Sequence, residues 1–168
     1  MVGPADDAHA RMTVWGTWKE RFGSTPFRTF VFFPIAVFAY EIVSEGAGFS
    51  IMPFGLVFLV WGYAQYRLTG NYRIAQGGGG PGIAIPPERL VMDGPYKYVR
   101  NPMYLGHLIF IYGLVLTFKS AFALLILLFH VVWFHRRVLA DEIHMQALFG
   151  RDYEIYAANV KRWIPGVF

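Results

Sequence analysis

The chain has 168 residues, 55% of them hydrophobic, and a mean hydropathy of +0.39, which is more apolar surface than one water-soluble core of this size can hide, so lipid is expected as a second solvent. Its formal net charge is +4, but the basic residues stand beside apolar runs and form no continuous stripe, which points to anionic lipid head groups and away from nucleic acid as the counter-charge. The absence of cysteine excludes a disulfide framework, a thiolate metal site and a cysteine nucleophile.

Residues 1–25 read as an N-terminal interfacial segment. Val14, Trp15, Trp18 and Phe22 recur at near-helical spacing among Arg11, Lys19 and Arg21, as in a helix lying in the membrane interface. The start of the chain lacks the charged, apolar and small-residue pattern of a removable signal peptide, so the first apolar span is expected to direct insertion. Residues 26–168 read as a single membrane domain. Its first apolar run covers residues 30–43 and extends back to Pro26, a suitable helix start. Pro34 and Glu41 interrupt it. A carboxyl near a membrane end snorkels, pairs or is protonated, and no catalytic role is assigned to Glu41. The second run covers about residues 49–66.

A connector over residues 67–101 follows. It contains a glycine run from Gly77 to Gly80 that lacks the Lys-Ser/Thr of a P-loop and the strand-helix setting of a dinucleotide site. It reads as a flexible linker or as backbone passing close to a ligand. The third and fourth runs, residues 104–118 and 121–134, are joined by Lys119 and Ser120 alone and should form a tight helical hairpin. Each falls short of the about 20 residues that span ~30 Å of hydrocarbon, so each recruits flanking residues such as Pro102 and His135 or lies where the bilayer thins. The expected fold class is all-α, a polytopic membrane protein with about four transmembrane helices, a cytoplasmic cofactor-binding segment and a C-terminal helix and tail over 136–168. Of the 15 Lys and Arg, Lys119 alone falls outside the segments before the first run, between the second and third, and after the fourth. The positive-inside rule then places both termini and both polar segments on the cytoplasmic face.

Two polar constellations sit at the ends of the hairpin. In the first, Gly94-Pro95 is turn chemistry, Pro102 suits the first helical position and Asn101 the N-cap. The free N–H groups of a helix start, beside Arg100, suit an anion such as a carboxylate. The competing reading is an ordinary juxtamembrane belt of Tyr and Arg. In the second, Arg137 and Asp141 share a helix face with Glu142 beside them, either as a surface ion pair or as part of a cation-binding pocket. His107, His130, His135 and His144 lack paired metal-ligand spacing, and no metal site is expected.

The ordered set Gly94-Pro95-Tyr96, Val99-Arg100-Asn101-Pro102, Tyr104 and Gly106, followed by Asp141-Glu142, Phe149-Gly150, Tyr153, Tyr156, Val160, Arg162 and Pro165, resembles the isoprenylcysteine carboxyl methyltransferase family and its phospholipid methyltransferase relatives. The resemblance covers about residues 86–165. It implies an S-adenosylmethionine-dependent methyltransferase built within the membrane, with active site and termini cytoplasmic. Carried over by position, Glu88, Arg89, Leu90, Val91, Tyr96, Asn101, Pro102, Met103 and Tyr104 would contact the cofactor. An acidic residue of the Asp141-Glu142 pair would also face it, and Arg137 would face the acceptor. The family usually has His where this chain has Asn101, and often His at the position of Glu88. Asn still donates and accepts hydrogen bonds, whereas Glu88 changes the local charge.

The cofactor's own groups suit the same residues, with Arg100 for its carboxylate, Asp141 or Glu142 for its ammonium, and Tyr96 for its adenine or sulfonium. The expected partner is a lipophilic acceptor drawn from the bilayer: an isoprenylcysteine-like carboxylate, a phospholipid amine or a small hydrophobic molecule. Competing functions are a non-catalytic scaffold or chaperone that keeps the fold and, less favoured, a membrane reductase of related architecture. Oligomeric state is left open.

Overall fold

The structure, a computed structural model, describes residues 24–48, 50–79 and 87–166. The interfacial helix expected over residues 11–23 lies outside them. Among the described residues the chain is helical, with α1 at Thr25–Glu45, α2 at Pro53–Gly77, α3 at Pro102–Phe118 and α4 at Ala121–Asn159. Two of these, α1 and α4, are long and apolar enough to cross a membrane, and α3 is a shorter apolar helix.

Each helix boundary has a local cause. The start of α1 is set by Ser24, whose Oγ accepts from the Phe27 N–H at 3.4 Å, and by Pro26 in the first turn. Over Arg28–Phe32 the helix opens into π geometry before tightening at Phe33. Pro34 follows at once and cannot donate to the preceding turn, and the wider turn absorbs that loss without breaking the rod. Glu41 is buried on the inner face of α1 at 4% exposure and does not reach the surface. Helix α2 opens on Pro53, and the Met52 N–H donates to Thr117 O at 2.8 Å, which ties the start of α2 to the end of α3.

Helix α2 does not stop where its apolar run stops. It continues through Gly77, with Thr69, Arg73 and Gly77 buried. The chain returning at residues 87–91 covers this polar end. The Glu88 and Arg89 N–H groups both donate to Gly77 O, at 2.8 and 3.0 Å, beside Val91 and Pro87. Against α3, α2 packs backbone to backbone, because a Cβ on Gly62 would strike the Phe110 backbone and one on Gly106 would strike Gly62 O and Tyr66 N. Small residues at crossing points are how helices associate where lipid removes the hydrophobic drive.

Lys119, with φ 51, reverses the chain. The Ser120 Oγ then accepts from Ala123 N at 2.9 Å and caps α4. The interior holds two clusters. One joins Val37 of α1, Phe110 and Leu114 of α3 and Ala123 of α4. The other joins Tyr104, Phe134, Val138 and Trp163. Between them lies fully buried His107, stacked on Phe30 with ring centroids 4.7 Å apart. Many large apolar side chains, Val43, Val60, Leu125 and Phe129 among them, face outward, the surface lipid would cover. Helix α4 runs on past the apolar segment as an arm. It breaks at Gly150, where φ is 54, a backbone that favours glycine. The arm and the tail after it fold over the end of the hairpin.

Candidate functional site

The site forms where the end of α2, the segment before α3 and the arm of α4 meet. Gly94, at φ 58, lies against the Tyr72 ring with no room for a side chain. A 3₁₀ turn at Gly94–Lys97 follows and buries Tyr96. The arm is then laced to this segment. Tyr156 Oη donates to Tyr96 O at 2.7 Å, Arg100 Nη1 to Ala157 O at 2.7 Å, and Arg100 N to Lys161 O at 2.9 Å. Val99 and Lys161 form a single parallel bridge.

Asn101 occupies the position before α3, but its side chain makes no capping bond. Its Nδ2 instead donates to Arg162 O at 3.4 Å. The returning tail competes for the amide, so the cap expected of Asn101 is replaced by a long-range tie. Pro102 does open the helix, and its carbonyl accepts from Gln65 Nε2 at 3.0 Å.

An open cavity lies among these elements. Leu90, Val91, Tyr96, Arg100, Asn101, Pro102, Met103, Tyr104, Asp141 and Glu142 line it. Glu88 and Arg89 are not among the lining residues; their side chains are exposed, and their backbones are spent on Gly77. Arg137 is likewise absent from the wall, but its Nε donates to the hydroxyl of Tyr104 at 3.0 Å. The wall also contains Arg73, Pro87, His144, Met145, Tyr153 and Tyr156, which sequence reasoning did not assign as contacts. Helical spacing offered a signal for some of them. Met145 stands one turn beyond Asp141, and Tyr153 and Tyr156 are three apart, so each pair shares a face. Arg73 gave no such signal, because the polar end of α2 reads as connector.

The charges are ordered. Glu142 is held by Arg162 through two bonds, Nε to Oε1 at 3.0 Å and Nη2 to Oε2 at 2.7 Å, and by Arg100 at 3.1 Å. Both of its oxygens are engaged, and the trio carries a net positive charge. The carboxylate bond raises the Arg162 pKa further above its ordinary value. Asp141 is different. Tyr104 Oη donates to its Oδ2 at 2.6 Å, and Arg137 reaches the same oxygen only at 4.0 Å. The Tyr104 hydroxyl therefore mediates between Arg137 and Asp141. Burial is the main force on the phenols of Tyr96 and Tyr153, both pushed up to about 12, with nearby Arg73 opposing the shift at Tyr96 and Glu142 reinforcing it at Tyr153. Burial also raises the Tyr156 phenol. All three stay neutral at physiological pH and offer π faces.

These residues fit a zwitterionic, partly aromatic ligand. Arg100 suits a carboxylate, and its Nε is buried without a hydrogen-bond partner among the described residues. Asp141 suits an ammonium, and the tyrosines suit an aromatic base or a sulfonium. Among the described residues, no group of three His, Asp or Glu could hold a metal.

Residues 43–152 match the phospholipid methyltransferase family. The chain is 36% identical over 78 residues, 45% of its length, to the protein-S-isoprenylcysteine O-methyltransferase of Schizosaccharomyces pombe. It is 34% identical over 85 residues, 48% of its length, to protein-S-isoprenylcysteine O-methyltransferase B of Arabidopsis thaliana. The matched stretches are 33% and 41% of those two proteins, so the chain spans well under two thirds of either. No solved structure shows a significant match.

Proposed function

Because the chain belongs to the phospholipid methyltransferase family, we propose that it is an S-adenosylmethionine-dependent methyltransferase that modifies a lipophilic acceptor at the cytoplasmic face of the membrane. The observation that carries this reading is the cavity itself. It sets the guanidiniums of Arg73 and Arg100, the carboxylates of Asp141 and Glu142, and the buried Tyr96 and Tyr156 around one space, with Arg162 holding Glu142 from outside the wall. That space opens at the end of an apolar helical hairpin.

In this reading the chain crosses the bilayer four times. The ends of α2 and α4 and the segment before α3 emerge on the side rich in Lys and Arg, with both termini there. When bound, S-adenosylmethionine supplies a methyl group on a sulfonium, an electrophile that needs no metal. The residues of the chain then have three tasks. The first is binding: Arg100 holds the cofactor carboxylate, while Glu142, clamped by Arg162 from outside the wall, fixes its geometry. Asp141 takes the ammonium, since its charge is not already clamped by two guanidiniums as that of Glu142 is. The second is positioning. Tyr96, Tyr153 and Tyr156 bound the space for the aromatic base, and an aligned displacement at carbon gains most of its rate from such placement. The third falls to Tyr104, which lines the cavity, and to Arg137, which is bonded to its hydroxyl; together they orient the acceptor.

A carboxylate acceptor needs no general base, whereas an amine must first lose a proton. The curated relatives are named for an O-methyl transfer, which favours the carboxylate. Labelled methyl transfer from S-adenosylmethionine into a membrane extract tests the reading. A base-labile lipophilic product is the expected outcome. A base-stable product would redirect the reading to an amine, and no labelled product from a folded preparation would contradict it.

A further inference from the structure

Two cations outside the cavity wall, Arg28 and Arg136, stand beside the Trp133 ring of α4. Arg28 lies in the π-helical stretch of α1, and its guanidinium sits over that ring, Cζ 5.2 Å from the centroid. Its Nε is buried without a hydrogen-bond partner among the described residues. Arg136 is exposed and comes three residues after Trp133, hence next to it on the helix surface. Its neighbour Arg137 turns the other way, onto the Tyr104 hydroxyl. Neither Arg28 nor Arg136 has an ion pair among the described residues.

Their place along the helices is that of a membrane boundary. At a rise of ~1.5 Å per residue, Arg28 stands about 26 Å along α1 from its far end at Glu45, close to the ~30 Å thickness of the hydrocarbon layer. In α4, Val132 and Phe129 precede Arg136 by one and two turns, share its face and are exposed. In α1, Phe32 and Ile35 follow Arg28 and are exposed as well. Each cation therefore heads an outward-facing apolar strip, with an indole between them, where snorkelling guanidiniums and amphipathic rings gather. The cation–π contact offsets part of the cost of drawing Arg28 out of water but satisfies none of its N–H groups. A phosphodiester at head-group depth would satisfy them, because the guanidinium fork binds phosphate in two-point geometry.

We propose that Arg28, Trp133 and Arg136 form a head-group site for an anionic phospholipid. The two guanidiniums hold its phosphate, and its acyl chains lie along Phe129, Val132, Phe32 and Ile35. The bound lipid braces α1 against α4 from outside the bundle. It is a resident ligand and not a methyl acceptor, since the cavity lining includes none of the three head-group residues. The inference therefore stands apart from the methyltransferase reading. Two cations without a protein counter-charge select a head group of net negative charge, such as phosphatidylglycerol, over zwitterionic phosphatidylcholine.

The test is native mass spectrometry of the full chain in detergent, titrated separately with phosphatidylglycerol and phosphatidylcholine. The wild type should bind phosphatidylglycerol about tenfold more tightly, the scale of one charge-assisted hydrogen bond. Arg28→Gln and Arg136→Gln should each erase most of that preference and leave phosphatidylcholine binding unchanged, and Arg28→Lys should keep part of it. Arg136→Gln alters an exposed side chain, so it decides the matter even where Arg28→Gln fails to fold. Arg151→Gln, which removes an exposed arginine elsewhere on α4, should keep the full preference. Inorganic phosphate should not displace the bound lipid. Equal affinity of the wild type for the two lipids would overturn the proposal, as would a preference that survives both glutamine variants. An equal loss in Arg151→Gln would also overturn it by assigning the preference to net charge. So would loss of both lipids together, the mark of a purely structural part, or displacement by inorganic phosphate, the mark of a free-anion site.

Discussion

Arg162 of the tail grips Glu142 of α4 through two bonds, at 3.0 and 2.7 Å. A residue near the end of the chain thereby fixes the one acidic group in the cavity that also touches Arg100. The pair links two roles: it closes the tail over the hairpin, and it holds Glu142 against Arg100 in the cavity wall. Arg162→Leu should lower stability by about 2 kcal/mol, the scale of hydrogen bonds to a charged group, read as a lower thermal midpoint in detergent. Adding Glu142→Leu should cost less than the sum of the two single changes, because each single change already loses the same two Arg162–Glu142 bonds. Additive losses would show that the pair is not coupled.

Tyr104 mediates between Arg137 and Asp141, while its ring packs on Phe134 at 5.1 Å. Tyr104→Phe keeps the ring and removes the mediator. The thermal midpoint should change little. Methyl transfer should fall by roughly tenfold, the equivalent of one hydrogen bond lost from a positioned group, with the loss in kcat for any acceptor that is turned over. Unchanged turnover would remove Tyr104 and Arg137 from the acceptor side.

The contact of α2 with α3 depends on glycine. Gly62→Leu or Gly106→Leu places side-chain atoms where the other helix has backbone, and overpacking of this kind costs about 1–3 kcal/mol or more. Both variants should show a depressed thermal midpoint and reduced recovery from the membrane. Substitution at Gly48, which has open space around it, should not.

The phenols of Tyr96 and Tyr153, pushed up to about 12 by burial, make stability fall at high pH. In the unfolded chain they ionise near ~10, so the folded protein binds those protons more tightly. Their contribution is fully present below pH ~10 and is lost as pH rises toward about 12. Tyrosinate absorbance should therefore appear late in the native titration. Tyr96→Phe combined with Tyr153→Phe should flatten the loss of thermal midpoint above pH ~10. An equally steep loss would place the cause elsewhere.

How much of this was legible in the sequence depended on how local its cause is. The turn at Lys119 and Ser120 and the opening of α3 at Pro102 could be read from residue types alone, because chain reversal and helix starts are decided within a few residues. The end of α2 could not. Residues 67–77 are polar, and only the return of residues 87–91 onto Gly77 explains why the helix persists and buries Arg73. Asn101 shows the same limit. Its residue type suits a cap, but a tail about sixty positions away takes the side chain. The candidate site was legible mainly as ordered motif residues. The convergence of Tyr96, Tyr104 and Asp141 on one cavity follows that order, whereas the exposed side chains of Glu88 and Arg89 follow from backbone ties to α2 that no motif records.

The central claim is that the cavity between the α4 arm and the segment before α3 is a cofactor site in which Asp141 takes the ammonium. Equilibrium binding of S-adenosylhomocysteine to the protein in nanodiscs, wild type against Asp141→Asn, tests it most directly. The expected result is saturable binding by the wild type and an affinity about tenfold lower in the variant, the scale of one charge-assisted bond, at an unchanged thermal midpoint. No binding by folded wild type, or undiminished binding by Asp141→Asn, would contradict it.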